Sequence, residues 1–262
     1  MVFRMSKTTV TRRGFLQDAV LLTTPLVGVL SVPPLSVAAA EPSHHLKVVC
    51  VGAHPDDPES GCAGTLIRYS ELGHAVTVLY LTRGERGIRN TGLDEAAKIR
   101  TAESEKACEV MGARPRFFGQ IDGATELTHA QVEAMTRVLG EEKPDIVFTH
   151  WPVDTHMDHQ VASILVIRAW MALGERPYLY FFEVDTGDQS QGFLPNTHVD
   201  VTSVLEKKKT ALLAHRSQDG QGIWRQHHEI IARWRGREAG VTAAEAFVHL
   251  SRDAKDRRLP GS

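Results

Sequence analysis

Two short clusters of histidine and aspartate carry the residue types that bind metal ions and transfer protons. The first is His-Pro-Asp-Asp at residues 54–57, and the second includes His156, Asp158 and His159. Zinc hydrolases need three protein ligands and leave one position open for water. Two imidazoles and one carboxylate meet that need, and a further carboxylate can act as the general base. The two clusters therefore predict a metal-dependent hydrolase.

The adjacent Asp56 and Asp57 offer both carboxylate roles, because the side chains of neighbouring residues diverge. The sequence does not say which of them binds metal. An alternative interpretation is that Pro-Asp-Asp-Pro is only a turn that caps a helix. The second cluster favours the metal site, since His156 and His159 stand three residues apart with Asp158 between them. So many imidazoles and carboxylates are hard to explain as caps.

Each cluster follows a short apolar run, at residues 46–53 and 145–149, that predicts a buried strand. In open α/β sheets, ligands collect at the carboxyl ends of the strands. The chain alternates strands with helices, which predicts an α/β fold: a Rossmann-like, mostly parallel sheet with helices on both faces. The expected strands are 46–53, 75–81, 116–118, 145–149, 178–182, 198–201 and 246–250. The expected helices are 60–72, 94–111, 128–141, 159–174, 204–215 and 223–235.

The first 40 residues predict a secretory signal peptide of the Tat type, followed by one domain over residues 41–262. Thr11-Arg-Arg-Gly-Phe-Leu16 is a twin-arginine pattern, an apolar stretch follows, and Ala38-Ala-Ala40 supplies the cleavage signal. An uncleaved anchor is the alternative, but Pro25, Pro33 and Pro34 interrupt the apolar stretch. We therefore expect the Tat machinery as a partner and a periplasmic or extracellular location.

Charge and cysteine content argue against a nucleic-acid-binding protein and against a disulfide-stabilised one. Residues 1–40 contain four cations and one acid, so the formal net charge falls from −2 to −5 without them. This acidic balance argues against a nucleic-acid partner. Three cysteines do not make a disulfide framework in a chain of this size, and we expect them to be buried small residues. The oligomeric state is not indicated by the sequence.

Three segments together resemble a known family. Ala53-His-Pro-Asp-Asp-Pro-Glu59, Leu81-Thr-Arg-Gly-Glu85 and Asp154-Thr-His-Met-Asp-His159 are similar to the signature segments of the LmbE-like, or PIG-L, zinc-dependent N-deacetylases. The resemblance runs from about Leu46 to Val166, and it continues more weakly around residues 199–201 and 213–218. It implies the same Rossmann-like fold.

The resemblance also implies roles for individual residues. His54, Asp57 and His159 would be the zinc ligands. Asp56 would be the general base that takes a proton from the attacking water.

His156 would stabilise the oxyanion and protonate the leaving amine, Asp158 would hold His156 and favour its charged form, and Arg100 would bind substrate. Pro58 departs from the family's commonest motif, which has glutamate at that position, so the role of Glu59 is open.

The function implied is removal of an acetyl or other acyl group from an N-acetylated amine, with a sugar or glycoconjugate containing N-acetylglucosamine as the expected substrate. Imidazole and carboxylate suit Zn²⁺, while Fe²⁺ or Co²⁺ can also be held. One alternative is therefore a non-haem Fe(II) enzyme on the same ligands, and another is a non-catalytic exported protein that binds zinc or a glycan. We expect His150 only to end its strand, and His227 and His228 to lie away from the metal.

Overall fold

Seven strands form one sheet in the computed structural model, which describes residues 45–250. Strands β1 to β5 are parallel, whereas β7 is antiparallel to both β5 and β6. The order across the sheet is β3-β2-β1-β4-β5-β7-β6. The strands are β1 (Lys47–Gly52), β2 (Ala75–Tyr80), β3 (Arg114–Phe117), β4 (Ile146–His150), β5 (Tyr178–Phe182), β6 (Thr197–Asp200) and β7 (Ala244–His249).

Helices connect these strands in the described part of the chain. They are α1 (Asp57–Gly61), α2 (Ala63–Glu71), α3 (Leu93–Met111), α4 (His129–Glu142), α5 (Met157–Ala172), α6 (Leu205–Leu212), α7 (Gly220–Ile223) and α8 (Glu229–Ala239). A π-helical turn, Trp224–His228, joins α7 to α8. No helix within residues 45–250 combines the length and the apolar character that a membrane crossing requires.

The sheet has an apolar core on each face. Along β1, Val48 and Cys50 belong to the core that α2, α3 and α6 cover, whereas Val49 and Val51 belong to the core that α4 and α5 cover. Alternate residues of a strand point to opposite faces, so a strand buried on both faces reads as a continuous apolar run. This explains why residues 48–51 of β1 and 146–148 of β4 are apolar without a break.

The strand order reverses beside β1 and β4. From β1 the chain moves outward through β2 and β3, and it then returns to build β4 and β5 on the other side of β1. Loops that leave the sheet in opposite directions at such a point open a crevice at the carboxyl ends of the strands. His54 follows β1 and His150 ends β4, so both lie at this crevice.

Two glycines allow α1 to pack close to the sheet. A Cβ at Gly52 would lie 2.6 Å from Pro58 Cδ, and a Cβ at Gly61 would lie 2.4 Å from Phe182 Cδ2. Both distances are too short for non-bonded carbon atoms. Glycine at these positions therefore lets the helix that begins with Asp57 rest directly on β1 and β5.

The predicted fold class is confirmed, and most predicted elements agree with the structure to within a few residues. Two helices differ. The segment 60–72 is two helices, because Cys62 has φ −140° and ψ −8° and interrupts the helical backbone. As a result Asp57 is the first residue of a helix of its own. The segment 223–235 begins with the π-helical turn, and its α-helix runs from Glu229 to Ala239. The three cysteines are free and buried, as expected. The predicted signal peptide, residues 1–40, lies outside the described residues.

Candidate metal and catalytic site

The two adjacent aspartates at the start of α1 have different neighbours. Asp56 has φ 101°, a left-handed conformation that is uncommon for residues other than glycine. Asp57 contacts three histidines, whereas Asp56 is hydrogen-bonded to Arg100. The strained backbone at Asp56 thus separates the two carboxylates, as two different roles require.

The Asp57 carboxylate lies between imidazole rings. Its Oδ2 is 3.2 Å from His54 Nδ1, and its Oδ1 is 3.4 Å from His159 Nε2. The two rings are 5.3 Å apart between centroids. Burial raises the pKa of Asp57, but the positive charge of the histidines outweighs burial and holds this pKa well below its usual range. The structure therefore brings together the three predicted metal ligands His54, Asp57 and His159.

A carboxylate faces the other nitrogen of each of these rings. His54 Nε2 is 3.0 Å from Asp158 Oδ2 and 3.3 Å from Asp122 Oδ1. His159 Nδ1 is 3.2 Å from Asp154 Oδ1. Metal-binding histidines commonly have a carboxylate on the nitrogen that does not bind metal, which fixes the ring and its tautomer. Both rings thus present the remaining nitrogen toward Asp57.

The donor atoms around Asp57 fit a divalent metal, although no single group found in the described residues contains His54, Asp57 and His159 together. Histidine and aspartate ligand atoms in the described residues form three overlapping groups, each with all its atoms within 4.8 Å of one another. Buried carboxylate charge and imidazole nitrogen together suit Zn²⁺, Fe²⁺ and Co²⁺. The groups are His54–His156–His159, His54–Asp122–His156–Asp158 and Asp57–His150–His159.

His150 ends β4, as expected, and it also belongs to the site. Its Nε2 accepts the backbone N–H of Ala53 at 2.9 Å and lies 3.3 Å from Asp57 Oδ2. Burial, followed by the nearby charge of His159, lowers the pKa of His150 to about 4, so the ring is neutral. Because the Ala53 N–H already uses the lone pair on Nε2, His150 is a poorer candidate ligand than His54.

Arg100 holds the Asp56 side chain in place. The Arg100 guanidinium donates to Asp56 Oδ2 at 2.8 Å and also to the carbonyl of Pro55. Burial raises the pKa of Asp56, and Arg100 only partly offsets this effect. A carboxylate with a raised pKa is a better proton acceptor at neutral pH than an ordinary one. Arg100 does not line the cavity described below, so its contact with a substrate stays a prediction.

His156 and Asp158 begin α5 beside the ligand rings. His156 Nδ1 accepts the backbone N–H of Asp158 at 3.2 Å. The Asp158 carboxylate accepts from Thr125 Oγ1 at 2.6 Å and from the Gly123 backbone at 2.7 Å, in addition to its contact with His54. Of the two neighbouring histidines, the Asp158 carboxylate thus hydrogen-bonds to His54 and not to the expected His156.

The charge state of His156 also differs from expectation. Burial lowers its pKa, the charges of His54 and His159 lower it further, and Asp158 only partly opposes them. The ring is therefore neutral near pH 7. With Nδ1 accepting a hydrogen bond, its proton is on Nε2, so the neutral ring can still donate a hydrogen bond.

The segment Leu81–Glu85 positions the loop behind His54. Thr82 Oγ1 donates to the carbonyl of Ala53 at 2.9 Å, and Glu85 accepts the backbone N–H of Asp122 at 3.0 Å. Asp122 in turn faces His54. The segment Leu81–Glu85 therefore supports the site indirectly, by holding the backbone beside His54 and Asp122.

Glu59 is more than an acid in the first turn of α1. It is fully buried, accepts from Tyr80 Oη at 2.6 Å and from the Asp56 backbone at 3.2 Å, and lies 3.2 Å from His215 Nε2. These contacts join β2, α1 and the segment after α6 behind Asp56. Glu59 therefore fixes the backbone that carries the two aspartates.

A polar cavity of about 170 Å³ opens beside Asp56 and Asp57. Its other walls come from distant parts of the chain: the loop after β5, the segment after α6, and the helical turns before α8. The lining residues are Asp56, Asp57, Ser60, Val184, Asp185, Gln189, Leu212, His215, Gln218, Gly220, Ile223, His227 and His228.

The cavity contains residues that the sequence did not single out. Asp185 lies outside the recognised motifs, and His215 lies only in the weaker part of the resemblance, at residues 213–218. His227 and His228 lie on a helical pattern that gave no sign of facing Asp57. The consecutive histidines His227 and His228 are the one sequence feature that could have drawn attention to this wall of the cavity. Neither His227 nor His228 belongs to the three groups of ligand atoms found in the described residues, although both line the cavity beside Asp57.

A family model described as PIG-L, GlcNAc-PI de-N-acetylase, matches residues 49–170. This range contains both histidine clusters and the segment that connects them.

Individual proteins are similar over a longer stretch. Diacetylchitobiose deacetylase from Thermococcus kodakarensis is 30% identical over 78% of this chain and 85% of its own length. 4-Oxalmesaconate hydratase from Pseudomonas putida is 28% identical over 78% of this chain and 86% of its own length. The structure of N,N′-diacetylchitobiose deacetylase from Pyrococcus horikoshii superposes with a TM-score of 0.69 and 25% identity, over 78% of this chain and 84% of that one.

Proposed function

Because this chain belongs to the PIG-L, or LmbE-like, family, we propose that it is a metal-dependent N-deacetylase. It hydrolyses the amide of an N-acetylated amine, and its expected substrate is a sugar or glycoconjugate that contains N-acetylglucosamine. The observation that carries this proposal is the separation of the two aspartates. Asp57 lies among imidazoles that can hold a metal, and Asp56 lies at the polar cavity where a substrate fits.

His54 Nδ1, Asp57 and His159 Nε2 would hold the ion. A divalent metal bound there supplies a Lewis acid for the amide carbonyl and makes water acidic enough to attack near neutral pH. Zn²⁺ is the proposed ion, and Fe²⁺ or Co²⁺ are expected to replace it. The carboxylates behind His54 and His159 keep both rings in the required orientation.

The other residues supply proton transfer and charge stabilisation. Asp56 takes the proton from the attacking water, and Arg100 keeps the Asp56 carboxylate in place through its 2.8 Å hydrogen bond. His156 donates from Nε2 to the oxygen that becomes negative. The proton that Asp56 has taken from the water then passes to the leaving nitrogen, which departs as the amine together with acetate.

The relatives support the same substrate class. The family model is described as a de-N-acetylase of a glucosamine lipid, and a relative from Thermococcus kodakarensis is a diacetylchitobiose deacetylase. A relative of similar identity is a 4-oxalmesaconate hydratase, so hydration is the competing reaction for this chain. Acetate release distinguishes the two reactions.

The test is acetate release from a panel of N-acetylated sugars by purified protein loaded with zinc. Asp56→Asn is the matched control, since it keeps the size of the side chain and removes the base. We expect the variant to bind zinc normally and to lose at least a hundredfold in kcat. Full turnover by Asp56→Asn would show that the base is another residue. Zinc-loaded wild-type protein that releases no acetate would favour the binding-protein alternative.

Metal dependence needs its own experiment. Chelation should abolish acetate release, and Zn²⁺ or Co²⁺ should restore it. His54→Ala and His159→Ala should retain less than one metal ion per chain by atomic emission. The same rates under nitrogen and in air would exclude an O₂-dependent iron enzyme.

Export is proposed from residues 1–40. A fusion of this segment to a reporter should reach the periplasm only when the Tat machinery is present, and Arg12→Lys with Arg13→Lys should block it. An exported deacetylase would meet cell-wall fragments or other extracytoplasmic glycans.

A further inference from the structure

One carboxylate–imidazole pair lies in the cavity wall but takes no part in the metal site. Asp185 Oδ2 is 2.8 Å from His227 Nδ1, and the side chains are 16% and 36% exposed. Within residues 45–250 the structure shows no other hydrogen bond to either side chain. Asp185 Oδ1 and His227 Nε2 are therefore available to a molecule in the cavity.

The backbone that carries each side chain is held by local hydrogen bonds. The carbonyl of Asp185 accepts the backbone N–H groups of Gln189 at 2.8 Å and Ser190 at 3.0 Å, which closes the loop after β5 into a tight turn. His227 lies in the π-helical turn, where the N–H of Glu229 donates to the carbonyl of Trp224, five residues earlier. Such single π-helical turns are frequent at functional sites.

The same cavity is also lined by Asp56 and Asp57. Its volume of about 170 Å³ is below the roughly 300–1,000 Å³ of sites for drug-sized ligands. A ligand that fills it is therefore the size of one sugar unit and contacts both the aspartates and the Asp185–His227 pair. A carboxylate oxygen accepts a hydrogen bond and an imidazole nitrogen can donate one, which matches the hydroxyl groups of a sugar.

We infer that the Asp185–His227 pair is a specificity determinant that binds hydroxyl groups of the sugar that carries the acetamide. This rests on the proposed function, and it assigns recognition of the expected sugar substrate to two named residues. The pair acts on substrate binding and takes no part in proton transfer to the amide.

The experiment compares two amides of the same ring size: methyl N-acetyl-glucosaminide and N-cyclohexylacetamide, which lacks the hydroxyl groups. Asp185→Ala and His227→Gln should each lower kcat/KM for the sugar roughly tenfold to a hundredfold, chiefly through KM, the range expected for hydrogen bonds with charged groups. Turnover of N-cyclohexylacetamide should change less than about threefold. Equal losses on both amides, or no loss on the sugar, would overturn the inference.

His198→Gln is the matched control variant. His198 Nε2 also contacts a carboxylate, Glu238 Oε2 at 3.1 Å, but it does not line the cavity. This variant should leave kcat/KM for both amides unchanged.

A binding measurement separates this inference from the proposed function. If wild-type protein releases no acetate from the sugar, the proposed deacetylase activity fails, and the affinity for methyl N-acetyl-glucosaminide is then measured by ligand-observed NMR. Binding that Asp185→Ala weakens at least tenfold supports the pair as a sugar site. Equal binding by both proteins, or none by the wild type, overturns it.

Discussion

Replacing Asp154 by asparagine should weaken metal binding without disturbing the fold. Asp154 Oδ1 accepts the backbone N–H of His156 at 2.8 Å and faces His159 Nδ1 at 3.2 Å, while Oδ2 accepts from Ser190 Oγ at 3.2 Å. An asparagine oxygen can still accept from His156. The substitution therefore removes the negative charge behind His159 and leaves the backbone contact in place.

The magnitude follows from the surroundings of His159. Burial lowers the pKa of His159, but the charges of Asp57 and Asp154 outweigh burial and raise it from 6.5 to about 9. This shift corresponds to about 3 kcal/mol in favour of positive charge on the ring. If Asp154 supplies half of it, the dissociation constant for the metal should rise by roughly tenfold to thirtyfold, within the range known for carboxylates behind metal-binding histidines.

Protonation of His159 competes with the metal, which fixes the pH dependence. His159 must lose its proton to bind metal, so the affinity of wild-type protein falls as the pH drops below about 9. The loss of Asp154 lowers the pKa of His159, and the affinity of the variant then falls only at a lower pH. The difference between the two proteins should be largest at pH 9 and smaller at pH 7.

The assay is competition between the protein and a chelator of known zinc affinity, carried out from pH 7 to pH 9. Asp200→Asn is the control, because Asp200 also accepts a backbone N–H, from Thr202 at 2.9 Å, but lies away from the site. A dissociation constant of Asp154→Asn equal to that of wild type at pH 9 would refute the assigned role of Asp154.

Three further predictions concern stability, measured as unfolding free energy in urea. Burial lowers the pKa of His228 from 6.5 to about 3. Between these two pH values the unfolded chain binds more protons than the folded one, so the stability of the wild type falls as the pH drops. His228→Gln should therefore remove about 2 kcal/mol of the stability that the wild type loses at pH 5. Arg235 contacts the Glu183 carboxylate at 2.6 and 2.7 Å. Arg235→Met should therefore cost about 3–5 kcal/mol of unfolding free energy, because it leaves the Glu183 charge buried and unpaired. Adding Glu183→Leu should recover most of this loss. Gly61→Ala should cost about 1–3 kcal/mol, because the added Cβ would lie 2.4 Å from Phe182; a variant as stable as wild type would contradict the close packing of α1.

The fold was predictable because its signals are local. Strands buried on both faces require continuous apolar runs, and each run in this chain ends at a glycine or at a polar cluster. The right-handed crossover of parallel strands then restricts the topologies that this alternation of strands and helices can adopt. The break at Cys62 was not predicted, because Gly61 and Gly64 beside it are equally compatible with one helix that packs closely on the sheet.

The candidate site was predictable only in part. His54, Asp57 and His159 lie on motifs whose residue types reveal metal chemistry, and the sheet brings their strand ends together. The contacts of Asp158 differ from expectation, since its carboxylate bonds to His54 and Thr125. Which of several nearby groups a carboxylate meets depends on loop backbone positions that no local pattern encodes.

The sequence by itself determined the chemistry available to this protein, because residue type decides which atoms can bind a metal or accept a proton. It also determined the alternation of strands and helices that gathers those residues at one edge of the sheet. Only the tertiary structure decided their surroundings. Asp122 behind His54, His215 behind Glu59, and Asp185 with His227 in the cavity wall come from segments far apart in the chain, and their distances are set by packing.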